Sequence, residues 1–186
     1  MRKVFVLLLS LFMCCAVLLD CVCCAEAANK PLIIYFTYSG NSRILADYVK
    51  KFTGGDLFEV VPAQPYPGDY HATTRQARKE LEAGVRPKLK VDKIPNLAAY
   101  DTVVLVHPNW WGTIPTPVMT LLEANDFSGK KIAQLVTHEG SGVGGSSDDL
   151  KKLCPKSTLL DPEEVRGGSV RDAEKKVGDW LKKVLK

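Results

Sequence analysis

The fold of this chain is decided by residues 32–42, which read LIIYFTYSGNS and join a run of apolar residues to a loop of small and polar ones. The same arrangement recurs twice: residues 102–106 lead into residues 108–113, and residues 131–136 lead into residues 137–142. Each apolar run has the length and composition of a buried strand. In an open parallel sheet, loops at the carboxyl ends of neighbouring strands meet at one crevice, where ligands bind. The three loops are therefore predicted to form one site.

The rest of the chain alternates strand-like and helix-like segments. Apolar runs predict strands at residues 32–36, 57–61, 102–106, 131–136 and 158–160. Helical spacing and composition predict helices at residues 44–52, 71–83, 115–122, 147–153 and 171–185. This alternation, with strands that are apolar throughout, predicts a parallel sheet with helices on both faces. The predicted fold class is α/β, with a single doubly wound domain.

The first 27 residues are predicted to be a signal peptide rather than part of the fold. A positively charged start precedes an apolar run at residues 4–19, and residues 25–27 match the small-x-small pattern of a cleavage site. Cleavage there gives an exported domain, residues 28–186, that is periplasmic or secreted. The apolar run has 16 residues, whereas crossing a bilayer takes about 18 or more, so no stable membrane span is predicted after cleavage. An uncleaved membrane anchor, or lipidation at Cys23 or Cys24, is the alternative.

Charge and cysteine content argue against several classes of protein. The chain carries 25 Lys and Arg against 21 Asp and Glu, a net charge of +4. Much of the excess lies in the last predicted helix, where it indicates a solvated face rather than a nucleic-acid patch. Five of the six cysteines lie in the predicted leader, so Cys154, predicted to be a buried helix-end residue, has no partner for an internal disulfide. His71, His107 and His138 form no metal-ligand spacing with it or with one another. No nucleic-acid partner and no metal are predicted.

The first loop has the composition of an anion site. It surrounds a glycine with polar side chains, in the order Thr37, Tyr38, Ser39, Gly40, Asn41 and Ser42. Backbone N–H groups at a helix start are unpaired, and the helix dipole favours an anion there. Because the lysine of a nucleoside-triphosphate loop is missing, the predicted ligand is a single terminal phosphate. A simple helix cap is the alternative.

The second loop offers large flat side chains. It reads Pro108, Asn109, Trp110, Trp111, Gly112 and Thr113. Two adjacent indoles cannot both point into the same core, so at least one is predicted to face solvent or a ligand. The alternative is that one packs under the helix and the other caps the sheet edge.

The third loop supplies backbone that a ligand can approach closely. It reads Thr137, His138, Glu139, Gly140, Ser141 and Gly142. With Gly145, two of these glycines fit G-x-G-x-x-G, but a dinucleotide fingerprint normally follows the first strand of its unit, and this pattern follows the fourth. We interpret the glycines as room for a ring, with nicotinamide binding as the alternative. Ser141 lacks the G-x-S-x-G spacing of a hydrolase nucleophile.

Four stretches resemble the flavodoxin family. Residues 35–42 are similar to the flavodoxin phosphate loop, and residues 66–70, 108–115 and 137–142 resemble a flavodoxin-like group of bacterial FMN proteins. The likeness spans residues 30–186 and is to the short-chain type. It implies a flavodoxin-like three-layer sandwich with a five-stranded parallel sheet of order 2-1-3-4-5. It also implies non-covalent FMN, with its phosphate on the first loop and its ring between the other two, stacked on or edge-on to one of the two tryptophans.

The function implied by this resemblance is that of an exported FMN redox protein. Such a protein is an electron carrier or an FMN-dependent oxidoreductase, and its partner is a redox protein or a small acceptor such as a quinone or a nicotinamide. His138 is the titratable side chain expected near the ring, either as a proton donor or as a residue that orients its loop. The alternative function is a non-redox or cofactor-free binding module. A net charge of +4 departs from the strongly acidic character of flavodoxin electron carriers.

Overall fold

The computed structural model describes residues 30–186. The predicted signal peptide, with its cleavage site and the two candidate lipidation cysteines, lies outside the described residues. Within residues 30–186, no helix combines the length and the apolar character needed to span a membrane. The same part of the chain holds no group of three or more His, Cys, Asp or Glu side chains placed to bind a metal ion.

The predicted parallel sheet is present, and its strand order is confirmed. The strands are β1 (Leu32–Tyr35), β2 (Asp56–Glu59), β3 (Thr102–Pro108), β4 (Lys131–His138), β5 (Thr158–Leu159) and β6 (Glu163–Arg166). They lie in the order β2-β1-β3-β4-β5, with β6 also pairing with β4, and every pairing is parallel. The helices are α1 (Asn41–Thr53), α2 (Tyr70–Glu82), α3 (Thr116–Ala124), α4 (Ser146–Leu153) and α5 (Glu174–Val184), with 3-10 turns at Leu97–Ala99 and Gly167–Asp172.

The last strand differs from its predicted form. The sequence predicts one strand at residues 158–160, whereas the structure has two short strands, β5 and β6, on successive parts of β4. The ladder still includes Leu160, whose N–H donates to the Ile132 carbonyl over 2.9 Å, and it resumes at Glu163. Pro162 lies between them and has no N–H to donate, which accounts for the interruption. The charged sequence of β6 carries no apolar run, so the pattern did not reveal it.

Several helix limits also differ. The last helix begins at Glu174 rather than at residue 171, because residues 167–172 form a 3-10 turn first. The first helix begins at Asn41, directly after Gly40, which brings its start into the first loop. Cys154 is buried at the end of α4, as predicted, and burial raises the pKa of its thiol to about 11.

Both faces of the sheet are covered by helices, which explains the apolar strands. Successive side chains of a strand point to opposite faces, so Ile33 and Ile34 of β1 enter two different cores. The core on the Ile33 side includes residues of α1 and α5, and the core on the Ile34 side includes residues of α3 and α4. Each fully buried aliphatic side chain contributes roughly 1.5–3 kcal/mol to folding. The sheet is thus held rigidly from both sides, and the loops at its carboxyl edge start from fixed positions.

Candidate functional site

The three predicted loops meet at the carboxyl edge of the sheet, where they form one side of a cavity of about 750 Å³. Fourteen of the eighteen predicted site residues line it: Thr37, Tyr38, Ser39, Asn41, Ser42, Pro108, Asn109, Trp110, Trp111, Thr137, His138, Glu139, Gly140 and Ser141. Gly40, Gly112, Thr113 and Gly142 are not part of the lining. The structure therefore brings the predicted residues to one place, as expected for loops after neighbouring parallel strands.

The four residues outside the lining shape the loops instead. Gly40 has φ +91° and precedes the first turn of α1. Gly112 has φ +83° and lies in a two-residue turn, which is closed by two backbone hydrogen bonds of 3.1 Å between Trp110 and Thr113. The Gly142 carbonyl accepts a 2.7 Å hydrogen bond from the Asn109 side chain. This last bond ties the second loop to the third.

The first loop leaves the start of α1 open. No side chain caps the N-terminus of α1, and the first helical hydrogen bond within the described residues is from the Ile44 N–H to the Gly40 carbonyl, at 3.2 Å. The Thr37 hydroxyl accepts a 3.0 Å hydrogen bond from the Gly40 N–H. The Ser42 hydroxyl is buried and lies 3.0 Å from that of Thr137, which joins the first loop to the third. Open N–H groups and hydroxyls at a helix N-terminus together suit an anion.

The two tryptophans of the second loop diverge. The Trp110 ring packs edge-on against three aromatic rings, with centroid distances of 5.2 Å to Phe36, 5.1 Å to Tyr66 and 6.4 Å to Tyr38. Trp111 turns outward and is 52% exposed. The prediction that the indoles cannot share one core is therefore correct. Trp110 gives the cavity a rigid aromatic side, while Trp111 stands at its opening.

Trp111 adopts an unusual backbone conformation. Its φ of +54° lies in the left-handed region, which is uncommon for a bulky residue. Its indole N–H donates to the Thr74 carbonyl over 3.0 Å, and the Arg78 guanidinium lies 5.0 Å from its ring centroid. These two contacts with α2 hold the ring in place despite its exposure.

His138 has a structural contact in the third loop. Its Nδ1 accepts a 2.9 Å hydrogen bond from the Gly140 N–H, so this nitrogen is unprotonated and the proton of the neutral ring is on Nε2. Nε2 lies 3.9 Å from a Glu164 carboxylate oxygen. This geometry agrees with a residue that orients its loop, and a proton-donor role stays a prediction.

One wall of the cavity was not predicted from the sequence. It is formed by residues of α2, namely Tyr70, Thr73, Thr74 and Ala77. They recur at helical spacing and, apart from the tyrosine, are small, which leaves space beside the helix. From the sequence, this segment is predicted only as a helix at residues 71–83. The helical spacing of its small residues was the available signal that they share one face, although it does not show where that face lies.

A buried polar network lies behind the second loop. His107 is fully buried, with Nε2 2.9 Å from the Gln134 amide nitrogen and Nδ1 2.9 Å from the Pro108 carbonyl oxygen. Gln134 in turn accepts a 2.7 Å hydrogen bond from Ser147. Burial lowers the pKa of His107 to about 4, so the ring is neutral near pH 7. Its Nδ1–H donates to the Pro108 carbonyl, which fixes the start of the second loop.

The α2 wall rests on a second network. The Glu80 carboxylate accepts hydrogen bonds from Gln76 over 2.8 Å, from Thr116 over 2.7 Å and from Tyr66. Burial, and then the bond to Glu80, raises the pKa of the Tyr66 hydroxyl. The aromatic ring beside Trp110 is thereby fixed to α2.

The sequence comparison assigns the family. The model of the flavodoxin family matches residues 30–184, nearly the whole of the described part of the chain. This chain belongs to the flavodoxin family. No functionally curated protein matches the sequence. The family assignment agrees with the sheet order and with the position of the cavity at the strand ends.

Solved structures show the same flavodoxin fold. A candidate flavoprotein from Bacteroides eggerthii is 30% identical, with a TM-score of 0.73 over 83% of this chain and 97% of its own. A similar protein from Bacteroides uniformis is 27% identical, with a TM-score of 0.73 over 83% of this chain and 98% of its own. A flavoprotein from Lactobacillus acidophilus, solved in complex with FMN, is 21% identical, with a TM-score of 0.59 over 80% of this chain and 99% of its own.

Proposed function

We propose that this protein binds FMN non-covalently in the cavity and transfers electrons to or from a redox protein or a small acceptor. The observation that carries the proposal is the uncapped start of α1, which opens among hydroxyl groups into a cavity with an aromatic side. A phosphorylated flat ring matches both features. The family assignment supports it, as does the relative that was solved with FMN.

The residues present fit this group. An added Cβ at Gly40 would meet no atom of residues 30–186 within 4 Å, so this part of the chain leaves room at the helix start where a phosphate would approach. The Asn109 side-chain oxygen is buried and has no hydrogen-bond partner among the described residues. Buried polar atoms are seldom left unpaired. After a small shift of the Asn109 side chain, this oxygen could therefore accept a hydrogen bond from an N–H or hydroxyl group of a ligand. We infer that Thr37, Ser39 and Ser42 would hold the phosphate.

The chain itself supplies binding, orientation and exclusion of water. FMN, when bound, supplies the electron-transfer chemistry. The Trp110 cluster presents an apolar side that keeps water away from a ring. The bond from Asn109 to Gly142 joins the second loop to the third, and the bond from Gly140 to His138 holds the turn within the third loop. His138 orients its loop in this scheme.

We also propose that the protein acts outside the cytoplasm, after removal of residues 1–27. The support is the leader pattern in the sequence: a positive start, a short apolar run and a small-x-small cleavage site. Expression of the full chain in a bacterial host, followed by cell fractionation and N-terminal sequencing, tests the proposal. A product in the periplasm or medium that starts at Ala28 is expected, and an uncleaved membrane-bound chain would contradict it.

The visible spectrum is the decisive experiment for the cofactor. Residues 28–186 are incubated with FMN, excess flavin is removed by gel filtration, and dithionite is then added under anaerobic conditions. A retained flavin spectrum that bleaches and returns on reoxidation is expected. A folded protein that retains no flavin would overturn the FMN proposal and favour a cofactor-free binding module.

A further inference from the structure

A surface of rings and arginines lies beside the opening of the cavity. It consists of Tyr70, Arg75, Arg78 and Trp111, and we call it the α2 rim. Among the described residues, five large hydrophobic side chains are exposed, and two of them, Tyr70 (62%) and Trp111 (52%), also line the cavity. Large exposed apolar groups that lie together on a protein surface mark an interaction site.

The helical spacing of α2 makes this surface continuous with the cavity. Residues three and four apart lie next to one another on a helix. Tyr70, Thr74 and Ala77 face the cavity, and Arg75 and Arg78 follow on the neighbouring stripe. A molecule seated on the arginines would therefore touch the edge of the cavity as well.

Trp111 is held in an exposed position before any partner arrives. Its bond to the Thr74 carbonyl and its contact with Arg78 fix the ring on α2, and the strained φ of +54° persists because of such supports. A side chain that is already ordered loses less conformational entropy when it binds. The position of this indole therefore favours contact with a partner over simple burial.

The α2 rim is positively charged. Glu80 is turned inward to Tyr66 and Thr116, and Glu82 pairs with Arg78 over 2.7 Å. Arg75 is exposed, and its side chain has no partner among the described residues. Lys79 adds a further exposed positive charge on the same helix. On the third loop, Glu139 lines the cavity, and a Glu164 carboxylate oxygen lies 3.9 Å from His138 of the same loop. The positive rim and these carboxylates therefore belong to different walls, and such a charge distribution would orient an incoming charged surface.

We propose that the α2 rim is the docking surface for an acidic protein that exchanges electrons with the cavity. The electron exchange rests on the function proposed above, whereas the docking surface rests on the rim alone. Trp, Tyr and Arg are the residues that most often dominate binding at protein interfaces, and all three occur here. Guanidinium groups match carboxylates in shape as well as charge. Partner carboxylates contact Arg75 and Arg78, and the exposed rings of Tyr70 and Trp111 form the apolar centre.

A fluorescence experiment tests the local charge without any flavin. Trp111 is the most exposed of the three tryptophans, so its emission is quenched by ions in solution, and Trp111→Phe identifies its signal. Each quenching constant is divided by that of N-acetyltryptophanamide with the same ion, and the resulting ratio is expected to be larger for iodide than for caesium. Arg75→Glu is expected to remove the difference between the two ratios, because it reverses an exposed positive charge of the α2 rim. Equal ratios for the two ions, or a difference unchanged in Arg75→Glu, would overturn the proposal.

The matched control for charge is Lys50→Glu. Lys50 is exposed at the last turn of α1, and α1 starts at the cavity, so this position lies at the opposite end of the helix. The two substitutions change the net charge by the same amount. Thermal unfolding of both variants confirms that each is folded before the binding measurements.

Calorimetric titration tests docking directly. The purified protein is titrated at low ionic strength with the soluble domain of cytochrome b5 as an acidic probe and with cytochrome c as a basic one. The affinity for the acidic probe is expected to fall about tenfold in Arg75→Glu, as for other electrostatically guided encounters. It is also expected to fall with added salt. In Lys50→Glu it should stay unchanged. Failure to bind the acidic probe, preference for the basic one, or equal loss in both variants would overturn the proposal.

Two further measurements separate this proposal from others. Sedimentation of the protein alone is expected to show a monomer; a dimer that Arg75→Glu or Trp111→Phe dissociates would identify a second copy of this chain as the occupant. The flavin content of each sample is determined from its spectrum. Binding of the acidic probe by a protein that cannot retain flavin would support the docking surface and reject the FMN function. A protein that retains flavin but does not bind the probe would support the FMN function and reject the docking surface.

Discussion

The two walls of the cavity differ in what holds them. The loop wall is formed by lining residues from segments 37–42, 108–113 and 137–142, which lie at the carboxyl ends of the neighbouring strands β1, β3 and β4. Its parts are joined by short hydrogen bonds, such as those between Ser42 and Thr137 and between Asn109 and Gly142. The α2 wall, by contrast, belongs to a helix that begins at Tyr70 and is separated by residues 60–69 from the end of strand β2 at Glu59.

The α2 wall is attached to the loop wall through a few side-chain bridges. The Trp111 indole donates to the Thr74 carbonyl, and the Tyr38 hydroxyl lies 3.1 Å from the Gly68 carbonyl oxygen just before α2. The loop wall is therefore fixed by the backbone of the sheet, and the α2 wall by side chains. We expect substitutions in the loop wall to affect cofactor binding strongly, and substitutions at the bridges to affect stability only slightly.

The largest effect is expected at the first loop. Gly40→Asp should weaken FMN binding at least a thousandfold, on the order of 4 kcal/mol, because it places a carboxylate where a phosphate would lie. Fluorescence titration with FMN measures the affinity. The matched control is Gly40→Asn, because the Asn side chain has nearly the size of Asp but carries no charge. Both residues would have to adopt the left-handed φ of position 40, which Asn and Asp tolerate better than most residues. Equal losses in the two variants would mean that backbone strain, and not charge, governs the loop.

The loop wall could be predicted from the sequence because its position follows from topology alone. Once residues 32–36, 102–106 and 131–136 are identified as buried parallel strands, their loops must meet at one edge. The same reasoning cannot place α2, whose angle to the sheet depends on contacts such as those of Glu80 with Tyr66 and Thr116. These contacts link residues far apart in sequence and leave no periodic signal. Strand β6 was missed for a related reason, since its pairing with β4 comes from the sheet and not from its own charged residues.

Acid is expected to weaken the support of the loop wall. The pKa of His107 is lowered to about 4 in the folded protein, whereas an unfolded histidine titrates near 6.5. Between these values the unfolded chain binds a proton that the folded chain does not, so the free energy of unfolding falls as the pH drops from about 6.5 to 4. The loss attributable to His107 is on the order of 3 kcal/mol, and it levels off below pH 4.

Urea unfolding at several pH values measures this loss. His107→Gln should be less stable at pH 7, but its stability should fall less between pH 6.5 and 4. His71→Gln removes an exposed histidine of α2 and should leave the acid loss as it is in the unmodified protein. The same acid loss in His107→Gln would show that other groups cause it, and that the support of the loop wall is not sensitive to pH.

The smallest effect is expected at the bridge between the walls. Trp111→Asn removes one exposed hydrogen bond and one cation–π contact, each worth roughly 0.5–1 kcal/mol. It also relieves the left-handed strain of a bulky residue, on the order of 1–3 kcal/mol. These terms nearly cancel, so the free energy of unfolding should change by no more than about 1 kcal/mol. Trp111→Phe keeps the strain but loses the indole N–H, so it should be less stable than Trp111→Asn. A more stable Phe variant would mean that ring packing outweighs the backbone at residue 111, and that the α2 wall is held more firmly than its few bridges indicate.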